Sequence, residues 1–445
     1  ARPPQPRPGC YDQLADRTRG VIARIPRLPP YSYQQMVDRC KESGKRRRYL
    51  EASQSLEQTP LNRNDRLIQG FMKVEKINLS RKKDPVARMI LAFPDRMLLC
   101  GGSLFASREK ALFKSLDELF ETPVIAKGKN ARERGKMLSS KWESFEEPAA
   151  VGQDMSRFDQ HASVECLKLF GRVFRSLQTS KDDKRLADMM MAWQYEQEGK
   201  VMFDSGNIAF LKTGGLDSGV PTTSGTAVTF MCIAYSAFLA TLPFRCEYVN
   251  DGDDCVVMME RCNVQTFMDG VTPFFLDLGF TLVSEEPVYE LEKIEFCQSH
   301  PIWTVDGYYM VRNPHTSMAK DLINLHGCQS ETNYKDWMYS VGSGGVVLNR
   351  QIPVLHEFYE RLRRSGQGGK AQDLYVQGGM KYALKNLRDR EHVIDPRTRL
   401  SFEVAFDITP PEQIAMEQLY SASQNLRYSK PQLGDTNQHI QTSFD

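Results

Sequence analysis

Apolar and polar positions fall into short blocks along the chain, and the blocks change period several times. The first 60 residues are broken by prolines at 3, 4, 6, 8, 26, 29 and 30, a pattern that predicts an extended arm with short helical pieces. From Phe71 the pattern tightens: FMKVEKIN and VARMILAF flank the basic turn Arg81-Lys82-Lys83-Asp84-Pro85 and predict two strands. Helical spacing follows over 106–122 and 130–143. Ala149–Val151 predicts a short strand leading to Asp154, with a helix from about Ala162 that sets Val164, Leu167, Phe170 and Phe174 on one side. Residues 183–199 have a helical pattern. Glu247–Asn250 and Cys255–Met259 enclose a tight acidic turn, which predicts a hairpin. Beyond it come a helix over 263–278, short strands within 280–312, further helices over 331–421, and a polar tail from about Asn425. Gly342-Ser343-Gly344-Gly345 lacks the pattern of a phosphate-binding loop and reads as a turn between helices.

One block has no period at all. Ser218–Phe244 contains no charged residue and approaches the length of a membrane span, yet it carries Thr229, Tyr235, Ser236 and Thr241 and ends on Pro243 without flanking positive charge. It predicts a helix buried inside a large protein. The length of 445 residues is enough for two or three packed subdomains, and the composition of 41% hydrophobic and 26% charged residues excludes a disordered, collagenous or disulfide-stapled chain. Ten cysteines without a C-x-x-C pair give no support to a zinc site and fit reduced thiols in a cytosolic compartment. A chain that opens on Ala1 reads as a fragment, a processed product or the downstream part of a longer polypeptide.

Net charge changes the picture once the chain is divided. Residues 1–100 hold 21 Lys and Arg against 10 Asp and Glu, a net +11, so the total of +2 leaves −9 for the remainder. A basic front suits a polyanion, and an acidic remainder suits functional carboxylates.

The candidate chemistry lies in three places. The hairpin turn is Asp251-Gly252-Asp253-Asp254, where adjacent carboxylates repel one another unless a cation sits between them. About one hundred residues upstream, Asp154-Met155-Ser156-Arg157-Phe158-Asp159 sets one carboxylate at the end of an apolar strand and another five residues on. Three carboxylates from two adjacent strand ends supply the hard oxygen ligands that two Mg2+ or Mn2+ ions need for an in-line phosphoryl transfer. Between these motifs, Ser218-Gly219-Val220-Pro221-Thr222-Thr223 is a loop whose glycine and hydroxyls allow close approach to a nucleotide sugar.

Taken in order, D-x4-D, S-G-x3-T and G-D-D resemble the three central palm motifs of RNA-dependent RNA polymerases from positive-strand RNA viruses. The likeness continues outside them: FMKVEKINLSRKKDPVARMI is similar to the basic fingers motif, KWESFEEPAAVGQDMSRFDQH to the tombusvirus form of the first palm motif, ELEKIEFCQSHPIW to the hairpin that grips the primer strand, and SFEVAFDITPPEQIAMEQLYS to the end of the thumb. It runs from about Asp65 to Ser421 and points to the tombusvirus-like group. The resemblance implies an α+β right-hand fold: an N-terminal arm at 1–64, fingers at 65–147, a palm at 148–300 with an antiparallel sheet and a fingers insertion at about 172–212, a helical thumb at 301–424 and a flexible tail at 425–445. It implies synthesis of RNA from nucleoside triphosphates on a viral RNA template with two Mg2+ or Mn2+ ions.

It also assigns residues. Asp154 and Asp253 match metal ligands, assisted by Asp254; Asp159 matches the carboxylate that senses the ribose 2′-hydroxyl, working with Ser218, Gly219 and Thr223. Arg88 matches the fingers arginine over the incoming nucleotide, with Lys73, Lys76 and Lys82 along its path; Arg81, Lys83, Cys297 and Gln298 fall where the family meets RNA. Implied partners are the template and nascent strand, nucleoside triphosphates, and a viral replication protein with host membrane reached through it. The implied setting is a membrane-associated replication complex in the host cytoplasm, reached through a partner or an upstream segment.

Two departures stand out. The group usually has an Asn four residues beyond Thr223, where this chain has Ala227, and it commonly offers a Lys as general acid near the strand after the hairpin, where Gly279-Phe280-Thr281-Leu282-Val283-Ser284 has none. His161 reads as a structural partner of its surroundings. Two rivals differ in test: a non-catalytic RNA-binding scaffold would bind RNA without incorporating nucleotides, and a reverse transcriptase would carry a bulky apolar residue in place of Asp159 and prefer deoxynucleotides.

Overall fold

The computed structural model describes residues 2–76, 88–203, 206–325, 327–372 and 393–428. Helices and mainly antiparallel sheets divide into two units. The first comprises Ala1–Val74, Lys82–Lys127 and Met137–Gln298; the second comprises Glu75–Arg81, Gly128–Lys136 and Ser299–Asp445.

Two sheets organise the first unit. Strands β1 (Leu67–Met72), β2 (Met89–Ala92), β4 (Glu196–Phe203) and β5 (Gly206–Thr213) form one in the order β2-β1-β4-β5, with β1 parallel to β4 and the other pairs antiparallel. The second is antiparallel throughout, in the order β6-β7-β3-β8, from β3 (Pro148–Met155), β6 (Glu247–Asp251), β7 (Asp254–Glu260) and β8 (Leu282–Ser284). Its central strands β3 and β7 read as continuous apolar runs because both of their faces are covered.

Behind this sheet lies the uncharged stretch, folded as the helix Thr223–Leu239. It is buried on almost every side, which explains why the stretch shows no amphipathic period. No helix among the described residues is long and apolar enough to cross a membrane. Phe230 stacks on Phe280 with Phe158 tilted against both, and Tyr235 of the helix stacks on Tyr248 of β6 with ring centroids 4.5 Å apart. This aromatic layer ties the short helix Phe158–His161 and the hairpin β6–β7 to one rigid floor.

The N-terminal arm is more folded than its prolines suggest. Helices occupy Ala15–Arg24, Tyr33–Arg39 and Ser43–Gln58, and Cys10, Leu14 and Val21 enter the main core. Arg7 N–H donates to the Asp277 carbonyl, and the Tyr11 hydroxyl donates to the Leu278 carbonyl. The prolines fall between the helices, where they end one element and start the next. The helix Asp95–Ala106 follows β2, and the predicted helix at 183–199 ends at Tyr195 before β4 begins.

In the second unit, β9 (Ser299–Thr304) and β10 (Gly307–Arg312) form an antiparallel pair accompanied by helices Glu331–Leu348, Leu355–Ser365, Pro396–Phe406 and Pro410–Ala422. The glycine-rich run is not a turn. Gly342 and Gly345 lie inside the helix Glu331–Leu348, where added Cβ atoms would stand 2.3 Å from Arg363 N and 2.0 Å from Tyr359 Cδ1. The glycines are there so that two helices can approach closely.

Candidate active site

Asp154 on β3 and Asp254 at the start of β7 are directly opposite in antiparallel register, and Asp254 is also the partner of Asp251 across the hairpin. Gly252 and Asp253 are the two residues of the turn. Gly252 has φ +93° while Asp253 stays at negative φ, the arrangement of a type II′ turn, which places glycine first. Asn250 clamps it: its side-chain amide donates to Gly252 O at 2.6 Å and its carbonyl accepts from Gly252 N at 3.2 Å. Its backbone meanwhile bonds to Val124 O and Ala126 N. The turn is thus held from below by a fully buried side chain that the sequence pattern did not single out.

The electrostatics match the crowding of carboxylates. Burial, then the charges of Asp253 and Asp251, push the Asp254 carboxyl up to about 7, against a 2.9 Å hydrogen bond donated by Cys297 N–H. Burial also raises Asp253, with Asp251 adding to the rise and Lys127 and Arg88 opposing it. Lys127 Nζ lies 3.5 Å from the Asp251 carboxylate. Desolvation and then Asp253 raise Asp159, while Arg88 and Lys212 pull it down. Arg88 is therefore electrostatically linked to both Asp159 and Asp253, in keeping with a cation facing an anionic ligand there.

Among the described residues no three His, Cys, Asp or Glu side chains converge closely enough to hold an ion. The structure brings Asp154, Asp253 and Asp254 onto neighbouring backbone positions without gathering their side chains around one point. Their donor chemistry nevertheless fits a hard divalent cation: oxygen ligands only, with two carboxyls raised by burial and mutual repulsion that a cation would relieve. Glu285 is a further carboxyl of this region. Burial raises it, Glu295 and Asp154 add to the rise, and only a glycine at 152 leaves it room, since a Cβ there would meet Glu285 Oε2 at 2.0 Å.

Asp159 stands on the short helix Phe158–His161, entered through Arg157 in the left-handed region at φ 49°. His161 bonds to Arg157 O and Thr281 Oγ1, each at 3.1 Å, so its ring joins two elements of the floor. The Ser218 loop reaches Asp159 through Leu216 N–H, which donates to Asp159 O at 2.7 Å. Gly219 forms a parallel bridge with Ala92 of β2, and a Cβ at 219 would lie 2.7 Å from Ala92 Cα. Thr223 Oγ1 is within bonding distance of Asp217 O and Val220 O, so its hydroxyl closes the loop. Ala227 is buried, and its Cβ is the nearest atom to a Cβ built at Gly252, 3.9 Å away.

Other expected residues are placed less uniformly. Lys73 N–H donates to Arg88 O and prolongs the β1–β2 pairing. Lys76 belongs to the second unit, where burial lowers its pKa, Asp321 opposes that effect, and Arg312 and Lys320 reinforce it. Arg81, Lys82 and Lys83 lie outside the described residues. Cys297 and Gln298 both adopt left-handed backbone, at φ 52° and 58°. Cys297 turns toward the carboxylates, its thiol donating to Asp251 Oδ2 at 3.5 Å in addition to the N–H bond to Asp254.

With this geometry in hand, comparison with known proteins supplies the class. The chain belongs to the viral RNA-dependent RNA polymerase family, whose model matches residues 1–427. Among individual relatives, it is 32% identical over 435 residues to an RNA-directed RNA polymerase of oat chlorotic stunt virus, covering 94% of this chain and 58% of the relative. It is 34% identical over 374 residues to that of tobacco necrosis virus strain A, covering 84% and 51%. For tomato bushy stunt virus the values are 32% over 419 residues, 94% and 50%. The chain thus spans about half to three fifths of the length of these relatives.

Proposed function

We propose that this chain is the polymerizing part of a viral RNA-directed RNA polymerase, joining nucleoside triphosphates into RNA on an RNA template. The observation that carries the reading is the antiparallel register of Asp154 with Asp254 beside the Gly252-Asp253 turn, in a chain of this family. Fingers at 65–147 with the 172–212 insertion, a palm at 148–300 and a thumb at 301–424 are the corresponding layout. The sheet β6-β7-β3-β8 and the helix Thr223–Leu239 make up the palm.

Asp154, Asp253 and Asp254 are the residues that would hold the divalent cations. Two such ions, when bound, stabilise the attacking 3′-oxygen and the departing pyrophosphate of an in-line displacement. The chain's own residues do the rest. Arg88 offers a guanidinium suited to bidentate phosphate contact, and Lys73 adds a point charge on the same segment. Asp159 and Ser218 face the sugar, where a group that both donates and accepts marks ribose. Cys297 holds Asp254 by its N–H, and Gln298 continues the segment toward the growing strand. Replication complexes on host membranes, joined through a partner protein or a further segment, are the corresponding setting.

Incubation of purified protein with an RNA template, a primer and labelled nucleoside triphosphates tests this. Template-dependent product that needs Mg2+ or Mn2+ is expected. RNA retention on filters with no incorporation in either cation would leave an RNA-binding scaffold instead.

A further inference from the structure

The loop that carries Ser218 is fastened at more points than a surface loop needs. Gly214 N–H donates to Tyr195 O, Gly215 N–H to Ala162 O and Leu216 N–H to Asp159 O. The buried Gln197 side chain on β4 donates to Gly215 O at 2.9 Å. On the far side, Gly219 N–H donates to Leu91 O on β2. Between these backbone anchors is one charged contact. Asp217 has a side chain only 1% exposed, and Lys212 Nζ at the end of β5 reaches its Oδ1 at 2.8 Å.

Burying a carboxylate beside a solvent-facing serine is costly unless the charge is matched. Here only one oxygen is matched. Asp217 Oδ2 is buried with no hydrogen-bond partner among the described residues, and Thr222 Oγ1 in the same loop is likewise buried without one. A pair kept at this cost, in a loop that already has backbone anchors, points to a task other than stability.

The surroundings indicate the task. Lys212 runs past Gly215, where a Cβ would lie 2.9 Å from Nζ and 3.4 Å from Asp159 O; the glycine, at φ +81°, leaves the lysine its path. Lys212 is therefore packed between the buried Asp217 and the segment bearing Asp159, and its charge favours the ionised form of both carboxyls. Asp217 O accepts from Thr223 Oγ1, so the same residue also sets the start of the buried helix.

We propose that the Lys212–Asp217 ion pair is a positioning device that fixes Ser218 relative to Asp159 and thereby sets the polymerase's discrimination between ribose and deoxyribose. It rests on the polymerase reading above. Neither residue need touch substrate. Lys212 pulls the loop against the Asp159 segment, Gly219 holds it to β2, and Ser218 stands exposed between the two. With Ala227 where the family usually has an amide, positioning of Ser218 and Asp159 takes on the discrimination that a third polar group would otherwise share.

The test uses Lys212→Met, which leaves Asp217 buried and unmatched, and Asp217→Asn, which removes the charge at nearly constant shape. Two readouts are needed. In hydrogen exchange, the amides of Gly215, Leu216 and Gly219 should exchange about tenfold faster in both variants, the size expected for loss of one charge-assisted contact. In single-nucleotide incorporation, the kcat/KM ratio of ribo- over deoxyribonucleotide should fall by about tenfold, mainly through a higher KM for the ribonucleotide. Unchanged exchange would overturn the proposal, as would a preserved sugar ratio in variants that only melt at lower temperature. The exchange arm requires no catalysis. Wild-type protein without incorporation would therefore count against the polymerase reading, while exchange would still decide whether the pair holds the loop.

Discussion

Asp254 illustrates how a functional residue burdens the fold that carries it. In the folded chain its carboxyl keeps a proton up to about pH 7, whereas an unfolded aspartate releases it near 3.8. Between those values the folded state binds more protons than the unfolded one, so this residue's contribution to the stability of metal-free protein is present below about pH 4 and lost as pH rises through about 7. Asp254→Asn removes the charge while keeping an acceptor for Cys297 N–H. It is expected to raise the Tm of metal-free protein at pH 8 by about 2 °C or more and to abolish incorporation. A lower Tm at that pH, read by calorimetry, would contradict the electrostatic account. The acidic turn was legible in the sequence because Gly-Asp-Asp is a local signal. Asn250, Lys127 and Glu285 were not, since each reaches the site through contacts that no spacing announces.

Among the elements, local periodicity located the hairpin β6–β7 and the strand β3, and the absence of charge over 218–244 located the buried helix. Periodicity failed where a long-range partner decides the structure. The parallel pairing of β1 with β4 joins Leu67 to Glu198, and no local pattern carries such a register. Gly342–Gly345 reads as a turn by composition, yet it is helical because the neighbouring helix presses against it. That contact makes a signed prediction. Gly345→Ala gains about 1 kcal/mol of helix propensity, but its Cβ would fall within the Tyr359 ring, which is buried and held by a 2.6 Å hydrogen bond to Asp321. Overpacking should win and lower stability by about 1–3 kcal/mol in a denaturant melt. Gly219→Ala acts on the other unit in the same way. Its new Cβ meets backbone at Ala92, so the Ser218 loop must lift from β2, and KM for the incoming nucleotide should rise about tenfold or more in steady-state kinetics. An unchanged KM would mean that the loop's seat on β2 does not position substrate.

For the whole molecule, the division of charge gains a more specific meaning. Part of the basic excess in residues 1–100 is neutralised within the first unit by acids from beyond residue 100, in the pairs of Arg7 with Asp277, Arg24 with Glu118 and Arg66 with Glu198. The field of Arg88 reaches both Asp159 and Asp253. The basic front is thus partly a fastening of the arm and partly an approach to the carboxylates. The two units, the assignment of 128–136 to the second, and the folded arm could not be inferred from the sequence pattern, because each depends on packing between distant segments. In the proposed reading, the carboxylates of β3 and of the β6–β7 turn carry out template-directed nucleotidyl transfer. This role is tested most directly by primer extension on an RNA template with Mg2+, comparing wild-type protein with Asp253→Ala of matched Tm and RNA affinity. Loss of at least about a thousandfold in rate is the result expected, and extension at the wild-type rate by Asp253→Ala would contradict the assignment.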